Sequence, residues 1–380
     1  MPTPETLDFD SLLAPISPER PTGVNLKTDP APDNLYHKIK RDADSSRTSE
    51  RLLRVAERND DGSVMDKIES PVWPKVVEQA IGALCEKTKD LWIASWLIEG
   101  LVRQQGFPGL RDGFRLVREL SERYWEELYP PLDEGDVADG EYTTVIQLSR
   151  LVGGETEGTL RAPVLQIPIT NSTKRGQFSS ADYLLAEDIE KMTDPVARQS
   201  RISAGAVTFS QFEQSAGDTS VEFYKNLLEE VDDCLDEYRK MCDVLAVKCV
   251  DADGNVLAPA VSETERLLDE CRERIKFAGR HVLVDESAAA GESGSGGAVS
   301  GVAAGSVQSR EAAFRELLKI ADFFGRTEPH SPVSYAIKQV VSWGNMALPE
   351  LLTELIEEQT VRENLFKRTG IPPPQTRDGS

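Results

Sequence analysis

Three histidines, His37, His281 and His330, are the side chains of this sequence best suited to acid–base chemistry near neutral pH. None of them lies in a sequence pattern typical of a nucleophilic serine or cysteine. The loop around His330 also holds Glu328 and Ser331, the residue types of a hydrolytic triad, but triad residues normally converge from separate parts of a fold. Ser331 is instead placed to cap the helix that follows it. The sequence therefore predicts no catalytic residue.

The sequence lacks the common patterns for binding metals and phosphates. It has no HExxH and no CxxC, and the DADGN stretch at 251–255 lacks the later ligands of a calcium loop. The glycine-rich stretch at 285–308 contains neither GKS nor GKT. Five cysteines without metal-ligand spacing indicate reduced thiols that pack in the core: Cys85, Cys234, Cys242, Cys249 and Cys271. We therefore expect no metal site and no cofactor.

Charge and hydropathy exclude further classes of protein. The 380 residues include 65 acidic and 43 basic ones, for a formal net charge of -22, so the average surface repels nucleic acid and anionic lipid. The first residues, MPTPETLDFD, do not form the basic and apolar pattern of a secretory signal. The most apolar segment, 91–102, contains Glu99 and is shorter than the roughly 20 apolar residues of a membrane-spanning helix. We expect a cytoplasmic protein that neither binds nucleic acid nor inserts into a membrane.

Helical periodicity runs through most of the sequence and predicts an all-α fold. Apolar residues recur at intervals of three and four over 76–85, 91–102 and 110–128. Gly106 and Pro130 are expected to end the second and the third of these helices. Short connections of this kind imply that the three helices are antiparallel neighbours.

The remaining segments suggest how the chain is divided. A helix is expected over 142–152, and the prolines and β-branched residues of 160–170 favour an extended segment. Apolar stripes over 227–245 and 263–277 predict a helical hairpin. The predicted organisation is an N-terminal arm with a loosely packed segment (1–70), an N-terminal helical domain (71–170), a middle helical domain (178–284), a flexible Ala/Gly/Ser linker (285–308), a small C-terminal helical domain (309–370) and a disordered tail (371–380).

Several motifs of the first domain resemble a known family. The sequence has a helix that starts at a tryptophan, a TKDL corner, a G-x-x-G-L turn and a W-x-x-L-Y-P ending. The residues concerned are Trp73, Lys87, Asp90, Leu91, Gly106, Gly109, Leu110, Trp125 and Pro130. An earlier stretch adds Pro15, Ile16, Pro21, Thr22 and Gly23. These motifs are similar to those of the TssA family, whose members carry the ImpA N-terminal domain of type VI secretion systems.

A second resemblance to the same family lies at the other end, over 309–356. The motif FF-x-R-T-E-P-H-S-P-V, followed by W-G, is similar to the short C-terminal domain of one TssA subgroup. The residues concerned are Phe323, Phe324, Glu328, Pro329, His330, Ser331, Pro332, Val333, Ile337, Val340, Val341 and Trp343. The longer C-terminal region of other TssA forms has no counterpart, so functions tied to that region are not carried over.

The resemblance implies a non-enzymatic assembly component of the type VI secretion system. Such a protein is expected to form a ring-like homo-oligomer through its C-terminal domain and to contact baseplate, sheath and tail-tube (Hcp-like) proteins in the cytoplasm. The C-terminal helical unit is small enough to be only marginally stable alone, and self-association would bury more of its apolar surface, in agreement with this expectation. The alternative is a generic cytoplasmic helical scaffold unrelated to secretion.

Three questions stay open at this level. Lys87 and Asp90 either form a local ion pair or mark a junction between helices. The tryptophans of the first domain either anchor a partner or fill its core; they are Trp73, Trp92, Trp96 and Trp125. The apolar stripe of the C-terminal domain is expected to divide between its own core and a subunit interface; it contains Val333, Ile337, Val340, Val341 and Trp343.

Overall fold

The computed structural model of the chain divides into two compact units, Met1–Gly294 and Ser295–Ser380. The described residues are 3–31, 34–58, 65, 67–131, 137–138, 141–154, 156–250 and 253–289, followed by 314, 317–318, 320–321, 324, 326, 332–346, 348–356 and 359–369. Nearly all regular structure in these ranges is helical, which confirms the predicted all-α fold. None of the helices in these ranges has the length and apolarity needed to cross a membrane.

The described helices of the first unit are α1 (Phe9–Leu13), α2 (Leu35–Arg58), α3 (Trp73–Glu86), α4 (Leu91–Tyr124), α5 (Ile146–Val152), α6 (Arg161–Leu165), α7 (Ser180–Lys191), α8 (Pro195–Ser203), α9 (Phe209–Asp218), α10 (Val221–Lys248) and α11 (Ser262–Ala289). Short 3-10 turns span Leu26–Thr28 and Trp125–Glu127. A two-residue antiparallel hairpin joins β1 (Val137–Ala138) to β2 (Glu141–Tyr142).

Helix α4 forms the centre of the first unit. The helix is interrupted at Gly106, whose φ of 63° lies in the left-handed region that favours glycine. Pro108 follows the interruption, where its missing N–H leaves no helical hydrogen bond unmade. The sequence predicted two helices separated at Gly106, and the position of that break is confirmed. Trp96 before the break and Phe114 after it are both buried.

The middle helices pack directly against α4. The rings of Phe114 and Tyr238 lie 5.0 Å apart, and the Arg118 guanidinium lies 3.1 Å from the Glu237 carboxylate. Helices α10 and α11 form the predicted hairpin. Because one apolar core continues from α4 into α10 and α11, the predicted division between residues 170 and 178 is not a break in the packing.

The N-terminal arm also belongs to this core. Phe9, Leu12 and Leu13 are buried, and the Arg111 guanidinium donates to the carbonyl oxygens of Thr3 and Pro4 at 2.9 and 3.1 Å. The sequence predicted an N-terminal arm followed by a loosely packed segment, and in the structure the arm itself packs into the core. The apolar opening of the chain covers α3 and α4 of its own domain.

Three local predictions need correction. The segment 160–170 contains helix α6, because Pro163 lies in the first turn, where a helix has no use for its N–H. Helix α11 continues past residue 284 to Ala289, into the predicted linker, since alanine is a strong helix former. The expected helix over 142–152 begins only at Ile146.

The second unit contains α12 (Val333–Asn345), α13 (Leu348–Leu355) and α14 (Gln359–Thr369). Its described buried side chains include Ala321, Ser334 and Val341. The Trp343 indole N–H donates to the Glu354 carboxylate at 3.0 Å and ties α12 to α13. The predicted cap Ser331 lies outside the described residues, as do Phe323, Glu328, Pro329 and His330, and α12 begins one residue after Pro332.

Candidate functional site

The TKDL corner is a junction between helices, built on the backbone. The Val24 N–H donates to the Lys87 carbonyl oxygen at 3.0 Å, and the Lys89 N–H donates to the Thr22 carbonyl oxygen at 2.8 Å. Gly23 has a φ of 76°, and a Cβ atom there would lie 2.1 Å from the Lys87 oxygen. Only glycine satisfies both conditions, so the Pro-Thr-Gly turn and the corner are fitted to each other.

The chain after α4 returns to the same corner. The Tyr129 N–H donates to the Lys89 carbonyl oxygen at 2.9 Å, and the Leu91 N–H donates to the Tyr129 carbonyl oxygen at 2.8 Å. The peptide bond between Tyr129 and Pro130 is cis, and the Thr144 hydroxyl donates to the Pro130 carbonyl oxygen at 2.9 Å. Three of the sequence motifs therefore meet in one place: the Pro-Thr-Gly turn, the TKDL corner and the W-x-x-L-Y-P ending.

Lys89 is the residue at this corner that sequence analysis missed. Its side chain is fully buried, and its ammonium donates to the carbonyl oxygens of Leu12 and Leu84 at 2.6 and 2.7 Å. Burial lowers the pKa of Lys89 to about 8 because the charged form loses hydration. A buried lysine that binds the ends of α1 and α3 fixes the arm to the domain. The lysine within TKDL is the signal that points to Lys89, whereas the motif residue predicted from the sequence is Lys87.

Asp90 answers the first open question in favour of a helix junction. Its Oδ1 accepts hydrogen bonds from the N–H groups of Trp92 and Ile93 at 2.7 and 3.2 Å, which caps α4. Its Oδ2 is buried without a hydrogen-bond partner among the described residues. Burial raises the pKa of Asp90 to about 7, against the opposing effect of the two backbone hydrogen bonds. The carboxylate therefore acts on its own helix and does not pair with Lys87.

A second buried cluster joins α2, α3 and α4. The Glu99 carboxylate accepts two hydrogen bonds from Arg47, each at 2.8 Å. Arg103 donates to Glu50 at 2.7 and 2.8 Å and lies 3.9 Å from the centre of the Trp73 ring. The Trp73 indole N–H donates to Glu50 at 2.6 Å. Glu99, a charged residue within the apolar segment 91–102, is the sequence signal for this network.

The tryptophans of the first unit mainly fill its core. Trp73, Trp96 and Trp125 are at most 5% exposed. Trp92 is half-buried, and its indole N–H donates to the Thr143 carbonyl oxygen at 3.0 Å. The structure thus supports the alternative in which these residues stabilise the fold and do not anchor a partner.

The G-x-x-G-L turn lies away from the corner, at the interruption of α4. A Cβ atom on Gly109 would lie 2.6 Å from the Leu101 carbonyl oxygen, so the two halves of α4 approach each other closely there. Leu110 is buried, whereas Gly106 lines a surface groove. Among the described motif residues of the first domain, Gly106 and the exposed Lys87 are thus accessible from solvent.

The C-terminal motif differs from the first in its exposure. Among its described residues, Val341 is 5% exposed, whereas Val340 and Val333 are 49% and 38% exposed. Ile337, Trp343 and Phe324 are half-buried. Further exposed apolar side chains of this unit are Leu318, Ile320, Tyr335 and Leu355.

The described residues offer no obvious chemistry. His37 and His281 lie exposed on α2 and α11, and no group of three or more His, Cys, Asp or Glu side chains in the described ranges is arranged to hold a metal ion. Four of the five cysteines are buried and Cys85 is half-buried, all as free thiols. Their predicted role as core packing residues is confirmed.

Comparisons with known proteins place this arrangement in a family. Residues 13–152 match the family model described as ImpA, N-terminal, type VI secretion system. The chain is 26% identical over 363 residues to the type VI secretion system component TssA1 of Pseudomonas aeruginosa, covering 93% of this chain and 96% of that protein. A solved N-terminal domain that includes the ImpA_N region of the TssA component from Burkholderia cenocepacia has a similar fold, with a TM-score of 0.56 and 21% identity over 74% of this chain and 98% of that one.

The corner at Asp90 and the helices around it are thus an ImpA-type N-terminal domain. Over nearly its whole length the chain is similar to the TssA1 component of a type VI secretion system. The resemblance to the TssA family that the sequence indicates is confirmed.

Proposed function

We propose that this TssA-type chain is a non-enzymatic assembly component, which forms a ring-like homo-oligomer through its C-terminal unit and contacts baseplate, sheath and tail-tube (Hcp-like) proteins in the cytoplasm. The similarity to the TssA family supports a role in the secretion machine. It also makes a generic scaffold unrelated to secretion the weaker alternative. The buried state of the N-terminal motif residues agrees with a structural role for the first unit.

The exposed apolar side chains of the second unit carry this proposal. Tyr335 is 73% exposed and Val340 is 49% exposed on α12, and Leu355 is 51% exposed on α13. A unit of this size buries a modest fraction of its surface when alone and gains stability when a neighbouring subunit covers such side chains. A second copy of the chain is the simplest neighbour that is always present, and repetition of one interface around an axis closes a ring.

The two units suit different tasks. The first unit has a continuous core that runs from the N-terminal arm to α11, and it therefore folds around its own side chains. The sequence between the units is dominated by Ala, Gly and Ser over 290–308, a composition typical of flexible linkers. Linked copies of the first unit on one ring would meet partner proteins at high effective concentration.

Light scattering coupled to size exclusion tests the ring. We expect the full chain to form a large closed oligomer, and a chain ending at residue 294 to be a monomer. The full-length Tyr335→Glu and Val340→Glu variants should dissociate, because each places a charge in the proposed interface. Val247→Glu is the matched control, since Val247 is 77% exposed on α10 of the first unit. A monomeric full chain would overturn the proposal.

Copurification tests the partner assignment separately. The full chain is expressed with the baseplate, sheath and Hcp-like proteins of a type VI secretion system and isolated from the lysate. We expect at least one of these proteins to be retained, and the dissociated Tyr335→Glu variant to retain less because it has lost multivalency. An oligomer that retains none of them would favour the generic scaffold.

A further inference from the structure

Helix α12 of the second unit carries two exposed apolar positions that point in different directions. Val340 is 49% exposed and Tyr335 is 73% exposed. Because an α-helix turns by about 100° per residue, these two side chains leave α12 about 140° apart. One patch of a neighbouring molecule cannot cover both of them, so α12 has two separate surfaces for contact.

The unit itself covers two other sides of α12. Ser334 and Val341 lie on one side and are each 5% exposed. On another side, the Gln339 amide and the Trp343 indole both donate to the Glu354 carboxylate of α13, at 2.7 and 3.0 Å. Two stripes of α12 remain between these sides and face solvent.

The first of these stripes is apolar. It contains Val333, Ala336 and Val340, which recur at intervals of three and four residues and are all exposed. This is the spacing at which two helices pack along a shared seam. We call these three side chains the α12 seam.

The second stripe is polar apart from one aromatic side chain. It contains Tyr335, Lys338 and Ser342, all of them exposed. Tyrosine is among the residues that most often anchor an interface, and it does so among polar neighbours. The two stripes therefore differ in chemistry as well as in direction.

This difference favours packing of the α12 seam against a second copy of itself. In a head-to-tail arrangement, the seam of one copy would cover the second stripe of the next and bury the Lys338 ammonium against apolar side chains, which costs free energy. In a two-fold arrangement the seam meets the seam of the other copy, and only valine and alanine side chains are buried there.

The charge of the chain leads to the same occupant. Residues Val333–Asn345 include one charged side chain, that of Lys338, although 28% of the residues of the chain are charged and the formal net charge is -22. Two copies of so acidic a chain repel each other on average. They meet without that repulsion along a helix face that carries no carboxylate, and the α12 seam is such a face.

We propose that two copies of the chain pair through the α12 seam about a two-fold axis, and that a second contact through Tyr335 joins these pairs into the ring. A two-fold contact closes on itself after two subunits, so a larger ring needs a second kind of contact. The inference rests on the proposed function and replaces its single repeated interface by two. It predicts an even number of subunits.

Cysteine cross-linking of the full chain tests the pairing. A two-fold axis through the seam brings Val340 close to its own copy, so Val340→Cys should form covalent dimers with a short bis-maleimide reagent. Ser342→Cys, on the second stripe of the same helix, is the matched control. We expect at least about fivefold more dimer from Val340→Cys, because cross-linking requires two thiols close together. The unaltered chain gives the background, since four of its cysteines are buried and Cys85 is half-buried.

Equal cross-linking of the Val340→Cys and Ser342→Cys variants would overturn the pairing. So would a large oligomer in which Val340→Cys forms no more covalent dimer than the unaltered chain, because the seam would then face a different surface of its neighbour. Circular dichroism of each variant shows whether its helices are intact.

Light scattering tests the second contact. Tyr335→Glu should release two-subunit pairs, whereas Tyr335→Glu/Val340→Glu should be a monomer because it introduces charges into both contacts. A monomeric or unchanged Tyr335→Glu variant, or an odd number of subunits in the unaltered ring, would overturn the assignment of the two contacts and leave the ring standing. A monomeric unaltered chain would instead overturn the proposed ring itself.

Discussion

The two units use their family motifs in opposite ways. In the first unit most motif residues are buried: Asp90 and Leu91 are fully enclosed, and Gly23 allows a contact that no other residue permits. In the second unit Val340 of the motif remains about half exposed beside the buried Val341. The comparison indicates that the first motif specifies a fold, whereas part of the second remains accessible to the neighbouring subunit of the proposed ring. Substitutions in the first should therefore change the free energy of unfolding, and those in the second should change assembly.

The largest expected effect is at the corner. Gly23→Ala places a Cβ atom 2.1 Å from the Lys87 carbonyl oxygen in a backbone conformation with a φ of 76°. We expect it to lower the free energy of unfolding by about 3 kcal/mol or more, since both strain and overpacking act. Chemical denaturation measures this value. Gly176→Ala is the control, because its φ is 87° but no atom lies within 4 Å; it should cost about 1 kcal/mol.

If Gly23→Ala and Gly176→Ala lower the free energy of unfolding by the same amount, the first motif does not specify the fold in the way described. It would mean that the Pro-Thr-Gly turn can move away from the corner. The motif would then have to be explained by something other than the packing of the domain.

The buried network gives the next largest effect. Glu99→Ala leaves Arg47 without its buried partner, and we expect a loss of about 3 kcal/mol in the free energy of unfolding. Glu122→Ala removes an exposed carboxylate 3.2 Å from Arg118, which should cost about 0.5 kcal/mol or less. Thermal and chemical denaturation of both variants provide the test. Similar losses would contradict the view that burial decides the effect.

The sequence predicted elements better than it predicted how they meet. The periodicity of apolar residues identified α3, α4 and the hairpin of α10 and α11, because one buried face imposes a spacing on each helix. The same periodicity cannot say which helix covers that face. It therefore left open whether α10 packs on α4, and it missed that the arm around Phe9 belongs to the core.

The motif residues show a similar limit. Lys89 and Glu99 are buried charges whose importance depends on partners far away in the chain, such as Leu12 for Lys89 and Arg47 for Glu99. No local pattern reveals such pairs. The sequence predicts the helix end at Gly106, but the groove that this residue lines also depends on α6 and α10, which only the three-dimensional fold brings together.

The burial of Asp90 in the first unit should make the free energy of unfolding depend on pH. Its pKa in the folded chain is raised to about 7 by burial, so the folded state binds this proton more tightly than the unfolded state. Stability from this group is present below about pH 4, the pKa of an unfolded aspartate, and is lost as the pH rises to about 7. The free energy of unfolding of the unaltered chain should therefore fall over this window relative to that of Asp90→Asn, which does not titrate.

Asp90→Ala serves as the control for the cap. It removes the acceptor for the Trp92 and Ile93 N–H groups and should be about 1 kcal/mol less stable than Asp90→Asn at every pH, since neither variant titrates at this position. Denaturation curves at several pH values distinguish the two effects. If the stabilities of the unaltered chain and of Asp90→Asn show the same pH dependence, Asp90 is ionised in the folded state throughout, and its burial is less complete than the structure indicates.

The smallest expected effect on folding tests the second unit. Val340→Ser changes a side chain that is 49% exposed, and we expect the stability of this unit to change by about 0.5 kcal/mol or less. Val341→Ser changes its neighbour, which is 5% exposed, and should cost about 2 kcal/mol through the loss of buried apolar area. Circular dichroism at concentrations where the chain is a monomer measures folding, and light scattering at higher concentrations measures assembly.

Val340→Ser should weaken assembly while it leaves folding intact. If instead Val340→Ser lowers stability as much as Val341→Ser and leaves the oligomer unchanged, the exposed half of the stripe belongs to the core of its own unit, and the contrast between the two motifs disappears.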